Sequence, residues 1–403
     1  MASQDSISPL ALDEYLASGD DRFLPALRSF HEPKKLAAIA DRWKKDHRPW
    51  ARERIVEYLQ LPMNVPGHEP VIKRLFKWAE ERGDDELMAA FAEAFDRLVR
   101  RIRKTKHHYD WESRTSWQEE RLVTPRSTIP HVAKSTRFAQ NPRTLERVIV
   151  GVHYPENGRL FSHHTRYYLR RRAWRYFRRK GHQRPAEFCA SVAGLLRRYT
   201  DGYLGSGESL LDSWSLMHAC FAKSDVVTFD ASRVNVREGR SLSELVAAPE
   251  FPELWRKPAA ARVLIGLLAT AAARAVRVWA IQLLREHHMQ NLGDVTAVEI
   301  LALLDHADDE VQQFAAELLE ASPLLAKLDL PTWLKLLETR NVAALEIIAR
   351  LMEQHVRPDR LTLEQVVDLA NAAPVPVARL GLRFLQTRTI GSAGERQAIA
   401  RLS

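Results

Sequence analysis

The densest chemistry in the chain lies between Arg166 and Lys180, which reads Arg-Tyr-Tyr-Leu-Arg-Arg-Arg-Ala-Trp-Arg-Tyr-Phe-Arg-Arg-Lys. At helical spacing Leu169, Ala173, Tyr176 and Phe177 form an apolar stripe for a core. That leaves Arg171, Arg172, Arg175, Arg178 and Arg179 for the opposite side. Planar guanidinium forks match phosphate oxygens, and several on one helix make a contact that weakens with salt. Tyr167, Tyr168, Trp174 and Tyr176 offer ring faces on which unpaired bases stack. The same pattern also arises when arginines pair with acids of neighbouring helices and their stems cover apolar surface.

A second basic run, Arg97, Arg100, Arg101, Arg103, Lys104 and Lys106, is expected at the end of a helix. Cations there offset the helix dipole, which accounts for two or three of them but not six. Arg114, Arg121, Arg126, Lys134, Arg137, Arg143 and Arg147 follow with few acids between. From Arg97 to Arg184 stand 23 Lys and Arg against 6 Asp and Glu, a net of +17; the chain's total of +9 leaves −8 for the rest. Such a block argues for a polyanionic partner. The candidate nucleic-acid contacts are Arg100, Arg101, Arg103, Lys104, Arg166, Arg171, Arg172, Arg175, Arg178, Arg179 and Trp174. No zinc-finger or RNA-recognition motif is present and no helix-turn-helix can be singled out, so backbone contact is expected rather than base readout.

For catalysis the residues to weigh are Asp212 and Trp214, in Leu-Leu-Asp-Ser-Trp-Ser. The plainer roles are a helix cap for Asp212 and a core position for Trp214. The doublets His107-His108, His163-His164 and His287-His288 suggest metal, but adjacent helical residues diverge by about 100°. There is no His-Glu-x-x-His, and Cys189 and Cys220 are the only thiols, so neither metal nor cofactor is expected. Gly205-Ser-Gly207 lacks the lysine of a phosphate-binding loop, and no Gly-x-Ser-x-Gly elbow or kinase set appears. The residues indicate no particular small molecule.

The elements that must position these groups read as helical. Residues 1–106 read as helical hairpins, with Phe23, Leu27 and Phe30 on one face of a short helix. Leu36, Ile39, Ala40 and Trp43 then recur at helical spacing, and Ile55, Tyr58 and Leu59 lie on a third helix after Pro49. The 62–70 stretch is a proline-bearing loop. Helices are expected over 71–82 and 84–103, with Gly83 as the stop. Over 107–162 the periodicity fails, and Pro125, Pro130, Pro142 and Pro155 break any long helix. A long basic loop is expected there, with room for a short helix over 143–150. A central basic helical region, 163–254, carries helices over 163–179, 185–199 and 210–221. Val226–Phe229 and Val234–Val236 suit either a small β-ribbon or an extended connector.

In the last part, 255–403, Val276, Val311, Val342 and Val377 open similar helices at spacings of 35, 31 and 35 residues. Four residues later stand Ala280, Ala315 and Gly381, small enough for close helix approach, while the Val342 repeat has Glu346 there. Each is preceded by another amphipathic helix, over 260–270, 295–304, 331–337 and 363–370. Such pairs bury their faces only by stacking. Asp309-Glu310-Val311-Gln312 with Ala315, and Ala275-Val276-Arg277 with Ala280, resemble HEAT repeats. The resemblance implies an all-α fold, an α-solenoid of helical hairpins with a basic, loop-containing central region, and an interaction surface; the family hosts many functions. Residues 395–402 begin a further amphipathic helix without a closing cap, which leaves an open end for a continuing array or a docked partner.

The N-terminus has no basic-then-apolar leader pattern, and the most apolar run, Val263–Ala273, is too short to cross a bilayer. With so few cysteines, a soluble cytoplasmic protein without a membrane role is expected. The first expectation is a non-enzymatic scaffold holding DNA or RNA at its basic centre and a protein on its C-terminal repeats. A second is a HEAT-like DNA glycosylase or related base-processing enzyme, a fold-level resemblance to alkylpurine DNA glycosylases from which no catalytic residue is carried over. A third is a purely protein-binding subunit of a larger complex, its arginines facing an acidic partner.

Overall fold

A computed structural model describes residues 8–63, 65, 67–98, 100–123, 135–140, 147–153, 163–230, 234–247, 249–322, 325 and 328–389. The chain divides into two compact units, 1–251 and 252–403. It is mostly helical, as its periodicity dictates. Among the described residues no helix is long and apolar enough to cross a membrane.

The first unit opens with α1 (Pro9–Ser18), α2 (Phe23–Ser29), α3 (Pro33–Trp43), α4 (Pro49–Gln60), α5 (Glu69–Arg82) and α6 (Asp85–Leu98). α1 has only two buried residues, Leu12 and Leu16, so its amphipathic pattern is too thin to stand out in sequence. Proline in the first turn of α1, α3, α4 and α5 sets φ where no backbone donor is needed. Gly83 closes α5 in the left-handed region, φ 67°, where a side chain would be strained. Trp43 anchors the core, edge-on to Phe23 at 4.9 Å and donating to the Ala51 carbonyl at 2.9 Å. The Phe76, Phe91 and Phe95 rings join α5 to α6.

The basic run after α6 differs from expectation. The helix ends at Leu98, and β1 (Ile102–Asp110) pairs antiparallel with β2 (Thr115–Val123). β3 (Ser135–Gln140) pairs with β4 (Arg147–His153). Where it is described, the long loop over 107–162 is thus two antiparallel strand pairs; of the short helix expected over 143–150, 147–150 is strand and 143–146 lie outside the described residues. Both faces of the first hairpin carry polar residues, so no alternation marks it. Its tip is set by Asp110, which accepts from Glu112 N at 3.0 Å and the Ser113 hydroxyl at 2.6 Å. Arg114 takes φ 53° there, with no Asn-Gly or Asp-Gly to announce the turn.

Then follow α7 (His163–Gln183), α8 (Pro185–Leu196), α9 (Asp201–Leu204), α10 (Gly207–Asp212) and α11 (Trp214–Phe221). The single helix expected over 210–221 is broken at Ser213, and every residue of α11 is buried. The β-ribbon forms: β5 (Val227–Phe229) pairs antiparallel with β6 (Val234–Val236). α7 packs against α6, α8 and α11.

The second unit holds α12 (Pro252–Trp255), α13 (Pro258–Thr270), α14 (Arg274–His287), α15 (Ala297–Leu304), α16 (Asp309–Ala321), α17 (Leu330–Leu336), α18 (Val342–His355), α19 (Leu363–Ala370) and α20 (Val375–Gln386). Helices pack in sequential pairs, α13 with α14 through α19 with α20, and α14, α16, α18 and α20 lie successively side by side. This is compatible with a helical repeat fold. Thr296 with Glu299, and Thr362 with Gln365, form capping boxes that start α15 and α19. The terminal helix expected over 395–402 lies outside the described residues.

Candidate polyanion site on α7

α7 carries no Asp or Glu in 21 residues. Leu169, Ala173, Tyr176 and Phe177 are buried, as their spacing requires. Lys180 is buried beside them and reaches Asp85, which also accepts the Tyr176 and Ser191 hydroxyls. The remaining arginines fall into three groups.

The first group is internal. Arg170, outside both the apolar stripe and the five arginines expected on the opposite side, is 6% exposed and points Nη2 at Asp96 Oδ1, 3.4 Å away, with its guanidinium 4.8 Å from the centre of the Trp214 ring. Asp96 also accepts Ser215 N at 2.8 Å, Leu216 N at 3.2 Å and the Tyr199 hydroxyl at 2.8 Å. A carboxylate on α6 therefore caps α11. Asp212 does not: it accepts Arg101 N at 2.8 Å and pairs with the Arg101 guanidinium. The capping role expected of Asp212 is taken by Asp96 because a carboxylate from another helix already fills the start of α11. Arg100 donates to the Tyr203 and Ser209 carbonyls and to the Ser213 hydroxyl, at 3.0–3.2 Å. Arg100 and Arg101 thus clamp the connector after α6 onto α9–α11.

The second group is partly exposed and paired with acids that are themselves largely buried. Arg172 and Arg179 share Glu80 of α5, with Arg179 Nη2 2.8 Å from Oε1. Arg172 also donates to the Tyr168 hydroxyl at 2.6 Å. Arg178 donates to Glu250 at 3.1 Å.

The third group is Arg171 and Arg175. Among the described residues neither has an acid partner; each lies beside a ring, Tyr167 at 5.3 Å and Trp174 at 5.5 Å. With Arg172, Arg179, Tyr168 and Glu80 they line a depression of about 490 Å³. Four arginines face one carboxylate there. Tyr168, 46% exposed, is the ring open to a ligand.

Comparison with protein families, curated proteins and solved structures finds no match to this chain.

Trp174 is 7% exposed and stacked on His218, centroids 4.3 Å apart at 9°. Trp214, 3% exposed, meets His218 edge-on at 4.4 Å, and Phe229 lies on it at 4.1 Å. Burial first, then Arg178, Arg170 and Arg175, push the His218 imidazole down to about 3. It is neutral near neutral pH, so it adds no charge to the arginine face. Both tryptophans are core residues, and neither presents a face to a base in this arrangement.

Arg166 lies in the first turn of α7. Arg103 and Lys104 lie on β1, opposite Leu122 and Arg121, with Lys104 exposed. Glu80, Asp96 and Glu250, the acids that sort the arginines, were not found from sequence. Nothing in their spacing marks them, because each acts across 72–120 residues of chain. Among the described residues no three His, Cys, Asp or Glu cluster to hold a metal ion.

Proposed function

We propose that this chain is a scaffold of the HEAT class that binds a polyanion, DNA or RNA backbone, on the α7 arginine face. The observation that carries this reading is the depression lined by Arg171, Arg172, Arg175 and Arg179, in which one glutamate offsets four guanidiniums. Phosphate oxygens match that donor set, and counterion release supplies the affinity. Tyr168 at the rim adds a stacking surface for a single strand. The C-terminal repeats serve a protein partner in this reading: a groove of about 530 Å³ runs along α16, α18 and α20, lined by Glu346, Arg350, Glu353, Arg379 and Arg383. A base-excising enzyme draws little support, since Asp212 is held by Arg101 and Trp214 is buried.

The test is binding of a labelled duplex and a labelled single strand across a salt series, for the wild type and for Arg171→Glu/Arg175→Glu. Reversing these two positions breaks no ion pair among the described residues. Wild-type affinity is expected to fall linearly on a log–log salt plot, with the variant's slope shallower by roughly 2. If wild-type binding to both nucleic acids is absent or indifferent to salt, the reading fails. Retention of a protein after nuclease treatment would then favour an acidic protein partner.

A further inference from the structure

On α6 and α8, a cleft of about 800 Å³ is lined by Glu93, Arg97, Gly194, Arg197, Arg198 and Tyr203, among others. Its charges are unequally served. Asp85 accepts Tyr176, Lys180 and Ser191, and Glu86 accepts Arg52 at 2.7 Å. Glu93, 5% exposed, has Arg97 Nε 3.5 Å from Oε1. Arg97 in turn donates to the Leu59 and Gln60 carbonyls. Each acid of the cleft thus has its own donor.

The Arg198 side chain has no acceptor among the described residues. Among the described residues its side chain makes no hydrogen bond or ion pair, and its Nε is shut off from solvent without an acceptor, although the residue as a whole is half-buried. Burial lowers the pKa of this guanidinium, and the more distant Glu93 and Glu86 charges offset that only in part. Keeping a desolvated donor unmet is costly unless something else satisfies it. The C-terminal dipole of α8 accounts for a cation at Arg197, which is exposed, but not for turning the Nε of the half-buried Arg198 away from solvent. The cleft also has room: a Cβ built on Gly194 would meet nothing within 4 Å. Ala190 and Gly194 lie one turn apart on α8, so an open strip of small residues leads to the two arginines.

We propose that this cleft binds a small organic anion, whose carboxylate or phosphoryl head is taken by Arg198 and Arg197 and whose body lies along Ala190 and Gly194. The site is separate from the α7 depression and shares no lining residue with it. It does not depend on the polyanion reading.

The experiment is thermal unfolding of the full chain with inorganic phosphate or succinate at low millimolar concentration, against chloride at equal ionic strength. Four proteins are compared: wild type, Arg198→Met, Gly194→Leu and Arg171→Glu/Arg175→Glu. One of the two anions is expected to raise the wild-type Tm by roughly 5 °C near a hundredfold excess over Kd. Arg198→Met is expected to unfold in chloride at or above the wild-type Tm, because a half-buried guanidinium with an unmet Nε is gone, and to lose the response. Gly194→Leu fills the strip without touching an arginine and should also lose it, which keeps the test valid if Arg198→Met fails to fold. The α7 double variant should respond like the wild type. An unchanged response in Arg198→Met or Gly194→Leu, a response lost in the α7 variant, or none from the wild type overturns the proposal. Loss of nucleic-acid binding with the anion response intact would count against the polyanion reading alone.

Discussion

Arg179 donates to Glu80 at 2.8 Å, while Arg175, one turn earlier on the same helix, meets no acid among the described residues. Glu80 takes Arg172 as well, so a single carboxylate decides how many α7 arginines are free for a ligand. Glu80→Gln is expected to strengthen polyanion binding, by roughly 3–10-fold at 0.1 M salt, and to steepen the salt slope by about 1. Its cost in stability should be about 1–3 kcal/mol, because the Glu80 side chain is largely buried and holds two guanidiniums, one of them half exposed. Weaker binding by this variant in the same titration would mean that Glu80 positions the arginines rather than masking them.

Asp96 carries a heavier structural role. It is fully buried, caps α11, accepts Tyr199 and faces the buried Arg170. Asp96→Ala leaves Arg170 without its carboxylate and two backbone donors of α11 unmet. The expected loss is about 3–5 kcal/mol, seen as a large fall in the urea midpoint. A loss below about 1 kcal/mol would show that water or a shifted Arg170 replaces the carboxylate.

Two buried imidazoles weaken the fold in acid. The Tyr58 hydroxyl donates to His68 Nδ1 at 2.7 Å, and His68 Nε2–H donates to the Phe30 carbonyl at 3.0 Å. Burial pushes His68 down to about 4, and burial with three arginines takes His218 to about 3. Unfolding frees both to titrate near about 6.5, so the unfolded chain holds more protons below that pH. The stability that these two neutral imidazoles contribute is therefore fully present above about pH 6.5 and is lost as pH falls towards 4 and then 3. His218→Phe keeps a flat ring on Trp174 and removes one titration. Between pH 7 and 4.5 the variant should lose less stability than the wild type, by on the order of 2–3 kcal/mol. Equal losses in the two proteins would reject the buried-neutral assignment.

What was legible in the sequence follows from range. Helices with wide apolar faces, α3 to α8 and α13 to α20, stand out because their cores are written locally. The first β-hairpin does not, since neither face is apolar and its turn lacks glycine. The sorting of arginines was illegible for a different reason: Arg172 and Arg175 look alike in sequence, and only α5, some 92 residues away, separates them. The repeat register was half legible. Val276, Val311 and Val377 open buried faces, with Ala280, Ala315 and Gly381 four residues on. Val342, however, is 58% exposed and Glu346 is exposed. The buried face of α18 runs Leu345, Ile348, Ala349 and Met352, the same spacing begun three residues later. Asn341 caps α18 by accepting Ala344 N, so the helix starts a turn before its face. The small residue of that repeat is Ala349, and Glu346 is no exception to the pattern.

That register makes the final prediction a paired one. A Cβ on Gly381 would lie 2.3 Å from Ala370 N and 2.6 Å from the Leu369 carbonyl carbon. These are backbone atoms of α19, which cannot turn aside as a side chain can. Gly381→Ala must push α20 off α19 and should cost about 1–3 kcal/mol or more, despite alanine's better helix propensity, worth about 1 kcal/mol in the other direction. Glu346→Ala, at the position first aligned with Gly381, should change stability by no more than about 0.5 kcal/mol. Urea unfolding of both variants reads the contrast directly. A neutral Gly381→Ala would mean that α19 and α20 have slack at their crossing. A costly Glu346→Ala would restore the register in which Val342 opens the repeat.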